Sequence, residues 1–149
     1  MKKSQILARL EAAGVVAVVR ENNTASALEA AKAVVAGGIH GLEVTFSVPN
    51  ADQVIAKLKE IYQADQAVVV GAGTVLDAVT ARLAIMAGAE FVVSPSFDQA
   101  TAELCNLYQV PYLPGCMTIT EMQRAMISGA EVVKLFPANN FDPQFIKSV

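Results

Sequence analysis

The sequence predicts an α/β fold, a (β/α)8 TIM barrel of which the chain contains about the first six βα units. Three observations lead there. A short Val-rich run, a polar turn, an Ala-rich amphipathic stretch and a glycine recur about every 20 to 27 residues. The runs are four to seven residues long and rich in Val, which suits parallel strands covered on both sides. Polar residues stand at the C-terminal ends of several different runs, namely Arg20, Glu43, Thr45, Thr74, Ser94, Ser96 and Lys134. Barrel enzymes carry their chemistry at that end.

Taken in order, residues 4–13 read as a leading helix, and strands are expected at 15–20, 41–46, 67–73, 90–94, 111–114 and 131–136. Helices are expected between them at 24–36, 50–63, 76–87, 98–108 and 118–128. Thr118 with Glu121 three residues on fits a capping box, in which each side chain satisfies a free amide at the helix start. Gly37 and Gly38, Gly88 and Gly129 stand where helices end in a left-handed residue. Ser94-Pro95-Ser96 and Pro114-Gly115 are expected to close the fourth and fifth strands. No Ser/Gly linker or shift in composition divides the chain, so residues 1–149 read as a single barrel domain. The first strand-to-helix turn runs Arg20-Glu21-Asn22-Asn23-Thr24 and lacks GxGxxG, which argues against a dinucleotide-binding sheet.

Composition removes several functional classes. The 149 residues are 54% hydrophobic and 17% charged, with a formal net charge of -3. Lysines and arginines are scattered, so no basic face for nucleic acid or anionic lipid is expected. The longest uncharged apolar stretch, residues 12–19, is far below the ~20 residues that span a bilayer. Arg9 and Glu11 interrupt any signal-peptide core, and a cytoplasmic protein is expected. Cys105, Cys116 and the single His40 do not make a zinc set, and the thiols are expected to be buried and inert in a reducing compartment. Small molecules or proteins remain as partners.

The chemistry centres on Lys134, in Glu131-Val132-Val133-Lys134-Leu135-Phe136-Pro137. Strand alternation puts Val132, Lys134 and Phe136 on one face. On a barrel's inner face, desolvation lowers an amine's pKa and makes it nucleophilic toward carbonyls; at a strand end the same side chain reaches water along its own stem. Glu43 lies in Gly41-Leu42-Glu43-Val44-Thr45-Phe46, with Glu43 and Thr45 inward and Leu42, Val44 and Phe46 toward the helices. A carboxylate there is costly unless paired or functional, so Glu43 and Lys134 form either a structural ion pair or an acid/base and amine couple. Gly71-Ala72-Gly73-Thr74-Val75 suits close approach of a ligand to the backbone, or caps the next helix. Arg20 either grips a ligand carboxylate or phosphate or meets solvent.

These residues resemble the KDPG/KHG aldolase family, the 2-dehydro-3-deoxy-6-phosphogluconate and 4-hydroxy-2-oxoglutarate aldolases. The matching stretches are Val18-Val19-Arg20, residues 38–45 ending in Glu43-Val44-Thr45, residues 70–75, Phe91-Val92-Val93-Ser94-Pro95, Leu113-Pro114-Gly115 and residues 133–138. They follow family order along essentially the whole chain. The resemblance implies a class I aldolase, typically a homotrimer, that takes a small 2-keto acid and uses no metal or organic cofactor. Lys134 matches the Schiff-base lysine and Glu43 the general acid/base. Arg20, Thr45, Thr74, Pro95 and Phe136 are the expected substrate-binding residues, with Thr74 at the pyruvate carboxylate and Pro95 and Phe136 as walls beside the imine.

The chain departs from the family in two places. Several members carry an arginine two residues after the threonine of Glu-Val-Thr, where this chain has Ser47; Arg20 is expected to supply the charge. The family holds phosphate on Gly-rich turns after its last two strands, so those residues are expected beyond Val149. The competing readings are a sugar-phosphate isomerase or epimerase barrel without imine chemistry, and a degenerate barrel kept for binding.

Overall fold

The computed structural model describes residues 2–149. Helix α1 (Lys3–Ala13) precedes β1 (Val16–Val19), and then α2 (Thr24–Ala36), β2 (Gly41–Thr45), α3 (Ala51–Ile61), β3 (Val69–Gly73), α4 (Ala78–Met86), β4 (Val92–Ser94), α5 (Gln99–Tyr108), β5 (Tyr112–Cys116), α6 (Ile119–Ile127) and β6 (Lys134–Leu135) alternate. A 3-10 turn (Ala138–Asn140) and the short α7 (Pro143–Ile146) follow. The strands are all parallel and ordered β1-β2-β3-β4-β5-β6. Val18 of β1 and Lys134 of β6 line one cavity, so the sheet curls into a half-barrel with its helices outside.

Local chemistry sets the element boundaries. Asn23, Asp77, Asp98 and Thr118 cap α2, α4, α5 and α6, their side chains accepting from backbone amides three residues on. The capping box forms as expected, Glu121 accepting from the Met117 and Thr118 amides at 2.7 and 2.8 Å. Of the Gly37–Gly38 pair, Gly38 takes the left-handed conformation (φ 93°) while Gly37 stays right-handed.

Strand alternation builds two apolar layers. Leu42, Val44, Val70, Ala72 and Val92 face α2, α3, α4 and α5 in the main core. Their alternates Val69, Phe91 and Val93 face the concave side, where Ile6 and Leu10 of α1 cover them. Helix α1 therefore closes the foot of the half-barrel. A side chain at Gly71 would run into the Phe91 ring, so this glycine serves core packing, not ligand approach.

Every strand differs from the sequence reading at one or both ends, and the fifth and sixth differ in a way that bears on the site. Pro114-Gly115 does not close β5, which continues to Cys116 and pairs Gly115 and Cys116 with Lys134 and Leu135. Strand β4 ends at Ser94, opposite Pro114, so the missing proline amide falls where that ladder stops. Strand β6 is two residues long instead of six, because it has β5 as its single neighbour and ends where β5 ends.

An ionic cluster anchors the foot. Glu90, buried just before β4, accepts from Arg9 of α1, from Lys59 of α3 at 2.8 Å and from the Val70 amide at 3.2 Å. Arg9 also donates to the Gln66 and Val68 carbonyls, both at 2.7 Å. Burial pushes the Glu90 carboxyl up, but these hydrogen bonds outweigh it and hold the group below its usual range. Arg9→Met is expected to destabilise the protein by about 2 to 4 kcal/mol in urea unfolding at pH 7, since it strips a buried carboxylate of a partner. The difference should shrink as pH falls through the lowered Glu90 pKa, where the pair is lost in the parent as well.

Candidate active site

At the opposite end of the strands, a cavity of about 410 Å³ opens on the concave side. Val18 reaches it from β1 and Arg20 from just past it, Glu43 from β2, Thr74 from just past β3, Pro95 from the turn after β4, Lys134 from β6 and Phe136 from just past it. The structure thus brings together six of the seven residues expected from sequence: Arg20, Glu43, Thr74, Pro95, Lys134 and Phe136.

Thr45 does not line this cavity. It is fully buried, and its hydroxyl donates to the Val19 carbonyl at 3.2 Å and lies 2.8 Å from Ser47 Oγ. Thr45 therefore ties β2 to β1. Sequence reading missed Val18, which stepping back two residues from Arg20 along β1 would have found.

Glu43 is 6% exposed. Burial pushes its carboxyl up, against the opposing fields of Lys134 and Arg20. Among the described residues no salt bridge of 4.0 Å or less joins it to Lys134, so the couple faces across the cavity instead of closing. A side chain at Gly73 would overlap the Glu43 carboxylate, and the glycine on β3 is what makes room for the acid on β2. The close approach expected at Gly71 to Gly73 is thus filled by the protein's own side chains.

The cationic side has two groups. Arg20 Nη2 donates to Thr74 Oγ1 at 3.4 Å, joining the ends of β1 and β3. Thr74 adopts φ 55°, a left-handed conformation that a β-branched residue avoids at a cost of about 1 to 3 kcal/mol, and this strain sits at the cavity wall. Lys134 Nζ lies 4.9 Å from the Phe136 ring centroid, a cation-π contact that orients the amine.

Other reactive groups lie apart. Cys105 and Cys116 are buried free thiols, and burial pushes Cys105 up to about 12, which keeps it from acting as a nucleophile near neutral pH. Among the described residues no group of three or more His, Cys, Asp or Glu is placed to hold a metal ion.

A curled parallel sheet that presents a lysine, a buried carboxylate and an arginine at its C-terminal edge defines a (β/α)-barrel protein with a lysine-carboxylate site. The sequence profile of KDPG and KHG aldolase matches residues 6–149, and the chain belongs to that family. It is 41% identical over 133 residues to a 2-dehydro-3-deoxy-phosphogluconate aldolase of Treponema pallidum, covering 89% of this chain and 62% of that one. It is 36% identical over 125 residues to the KHG/KDPG aldolase of Escherichia coli K12, covering 83% and 57%. Among solved structures, native KDPGal superposes with a TM-score of 0.82 at 29% identity, covering 89% and 64%. The KDPG aldolase of Legionella pneumophila with pyruvate captured as a covalent carbinolamine superposes at 0.77 and 30% identity, covering 89% and 63%. The chain spans about three fifths of the length of these curated relatives.

Because burial raises the Glu43 pKa, its ionised form destabilises the fold above the unfolded-state pKa. Glu43→Gln is therefore expected to melt at a higher temperature than the parent at pH 7. The gap should close below about pH 4, where the parent carboxyl is protonated folded and unfolded alike.

Proposed function

We propose that this chain carries the imine-forming and proton-transferring part of a class I aldolase. The reaction cleaves a 2-keto-3-deoxy-6-phospho sugar acid, 4-hydroxy-2-oxoglutarate or both to pyruvate and an aldehyde, glyceraldehyde 3-phosphate or glyoxylate. One observation carries this reading: the Lys134 amine and the buried Glu43 carboxyl share a cavity without closing an ion pair. That leaves both groups available to a carbonyl substrate between them.

In this reading the Lys134 amine adds to the C2 carbonyl carbon, and the resulting carbinolamine loses water to form an iminium. Breaking the C3–C4 bond sends its electron pair into the iminium, giving an enamine, while the C4 hydroxyl yields its proton to Glu43 directly or through a water. Protonation of the enamine at C3 and hydrolysis release pyruvate and restore the amine. The iminium serves as the electron sink, so the bond cleavage calls for no organic cofactor or metal. A carboxyl with a raised pKa is suited to both the acid and the base role near neutral pH.

Arg20 and Thr74, already hydrogen-bonded, are assigned to the substrate carboxylate, Arg20 standing in for the arginine that Ser47 replaces. Val18, Pro95 and Phe136 wall the pyruvyl methylene. A designed cage of fused symmetric oligomeric domains superposes at a TM-score of 0.82 with 29% identity, which supports an oligomer; three copies in the cytoplasm is the assembly proposed. No helix of the described residues is long and apolar enough to cross a membrane.

Borohydride reduction in the presence of pyruvate should leave a stable three-carbon adduct on Lys134, located by peptide mass mapping, and Lys134→Met should abolish it. A folded sample without adduct, or with the adduct on another lysine, overturns the assignment. Arg20→Ala should weaken pyruvate about 10- to 100-fold, the contribution of a charged hydrogen bond, measured as the pyruvate concentration that half-saturates trapping. Gly73→Ala should displace Glu43 and slow trapping by roughly 100-fold while far-ultraviolet dichroism is retained.

A further inference from the structure

Tyr112 opens β5 and is 4% exposed, with its ring in the core between sheet and helices. Its hydroxyl does not stay in that core. It reaches the turn after β4, lying 2.6 Å from Ser94 Oγ and 3.3 Å from the Ser96 carbonyl, and it accepts from the Asp98 amide at 3.2 Å. Ser94 Oγ donates to the Ser96 carbonyl at 2.5 Å, and the phenol proton is directed to the same carbonyl. Burial raises the Tyr112 phenol pKa, which keeps that proton in place across the neutral range. The result is a continuous chain from the Asp98 amide through Tyr112 to the Ser96 carbonyl, where Ser94 joins it.

Pro95 stands in the middle of this chain and walls the cavity. On its other side the backbone of Pro95 rests over Gly115, where a Cβ would overlap the Pro95 carbonyl. Gly115 is in turn the register partner of Lys134. The turn is thus held between a glycine next to the reacting lysine and a phenol reaching up from the core. Asp98 extends the connection to α5, its carboxylate accepting from the Thr101 amide and hydroxyl at 2.8 and 2.7 Å.

We propose that Tyr112 is a positioning residue: its hydroxyl fixes the Ser94-Pro95-Ser96 turn against Gly115 and so sets the height of the Pro95 wall beside the Lys134 amine. This inference rests on the imine reading of Lys134. A displacement of the wall changes how a keto acid is aligned with the amine, and alignment errors of about 1 Å cost up to 100-fold in rate.

The test compares the parent with Tyr112→Phe, Ser94→Ala and the double variant, measuring the borohydride-trapping rate with pyruvate per site that reaches full labelling, together with the half-saturating pyruvate concentration. Tyr112→Phe should slow the per-site rate by 10-fold or more while half-saturation moves less than threefold, because Arg20 and Thr74 are untouched. The double variant should be no slower than the slower single one. Normalising to labelled sites removes any loss of folded protein, which a merely structural role would produce. An unchanged per-site rate in Tyr112→Phe, or fully multiplicative effects in the double variant, overturns the proposal. Amide hydrogen exchange at Asp98, read on the same samples, should accelerate at least 10-fold in Tyr112→Phe; unchanged exchange also overturns it. A parent chain that forms no adduct instead refutes the imine reading and with it the rate effect, and exchange at Asp98 then decides on its own whether Tyr112 holds the turn.

Discussion

Glu43 stands on the concave side of β2 with its carboxylate over the bare backbone of Gly73, and much of the surrounding structure follows from accommodating that acid. Adjacent strands run about 4.8 Å apart, so an inward side chain on one strand needs its neighbour to give way. Gly73 does so. Burial disfavours the ionised form, and the fields of Lys134 and Arg20 recover part of the cost across a cavity that stays open. A closed ion pair would have satisfied the same charges at shorter range and left no room between them. The open arrangement is less favourable as a structural device and more suited to holding a polar substrate.

The stabilising ion cluster and the candidate site occupy opposite ends of the same strands. At the foot, Glu90 is surrounded by two cations and a backbone amide, its pKa is lowered, and α1 is fastened across the concave apolar layer. At the other end Glu43 has no such set of partners, its pKa is raised, and Thr74 is held in a backbone conformation that costs energy. The same residue type is thus tuned in opposite directions by what surrounds it. This division matches the general behaviour of barrels, in which the N-terminal face maintains the fold and the C-terminal face carries the reacting groups.

The turn after β4 shows how an apolar core is coupled to such a site. Tyr112 belongs to the core by its ring and to the cavity wall by its hydroxyl, and Gly115 admits the Pro95 backbone next to the residue paired with Lys134. Packing on the helix side of the sheet is thereby connected to the position of a wall on its inner side. A buried hydroxyl that satisfies its hydrogen bonds in a loop resists displacement more than a packing contact does, since breaking it leaves polar groups unpaired.

Much of this organisation was legible in the residues. The Val-rich runs, the Thr118–Glu121 capping box and the polar residues at run ends determined the alternating parallel architecture, and six of the seven expected site residues meet in one cavity. Periodicity carries that information because it fixes which way each side chain points. It carries none about which neighbour a side chain meets. Only the tertiary structure showed that Thr45 binds the Val19 carbonyl, that Gly71 yields to Phe91 and Gly73 to Glu43, that β5 runs on through Pro114, and that Glu43 and Lys134 remain apart. Each of those facts depends on the register and curl of neighbouring strands, which bring together residues tens of positions apart and are set by the packing of the whole sheet.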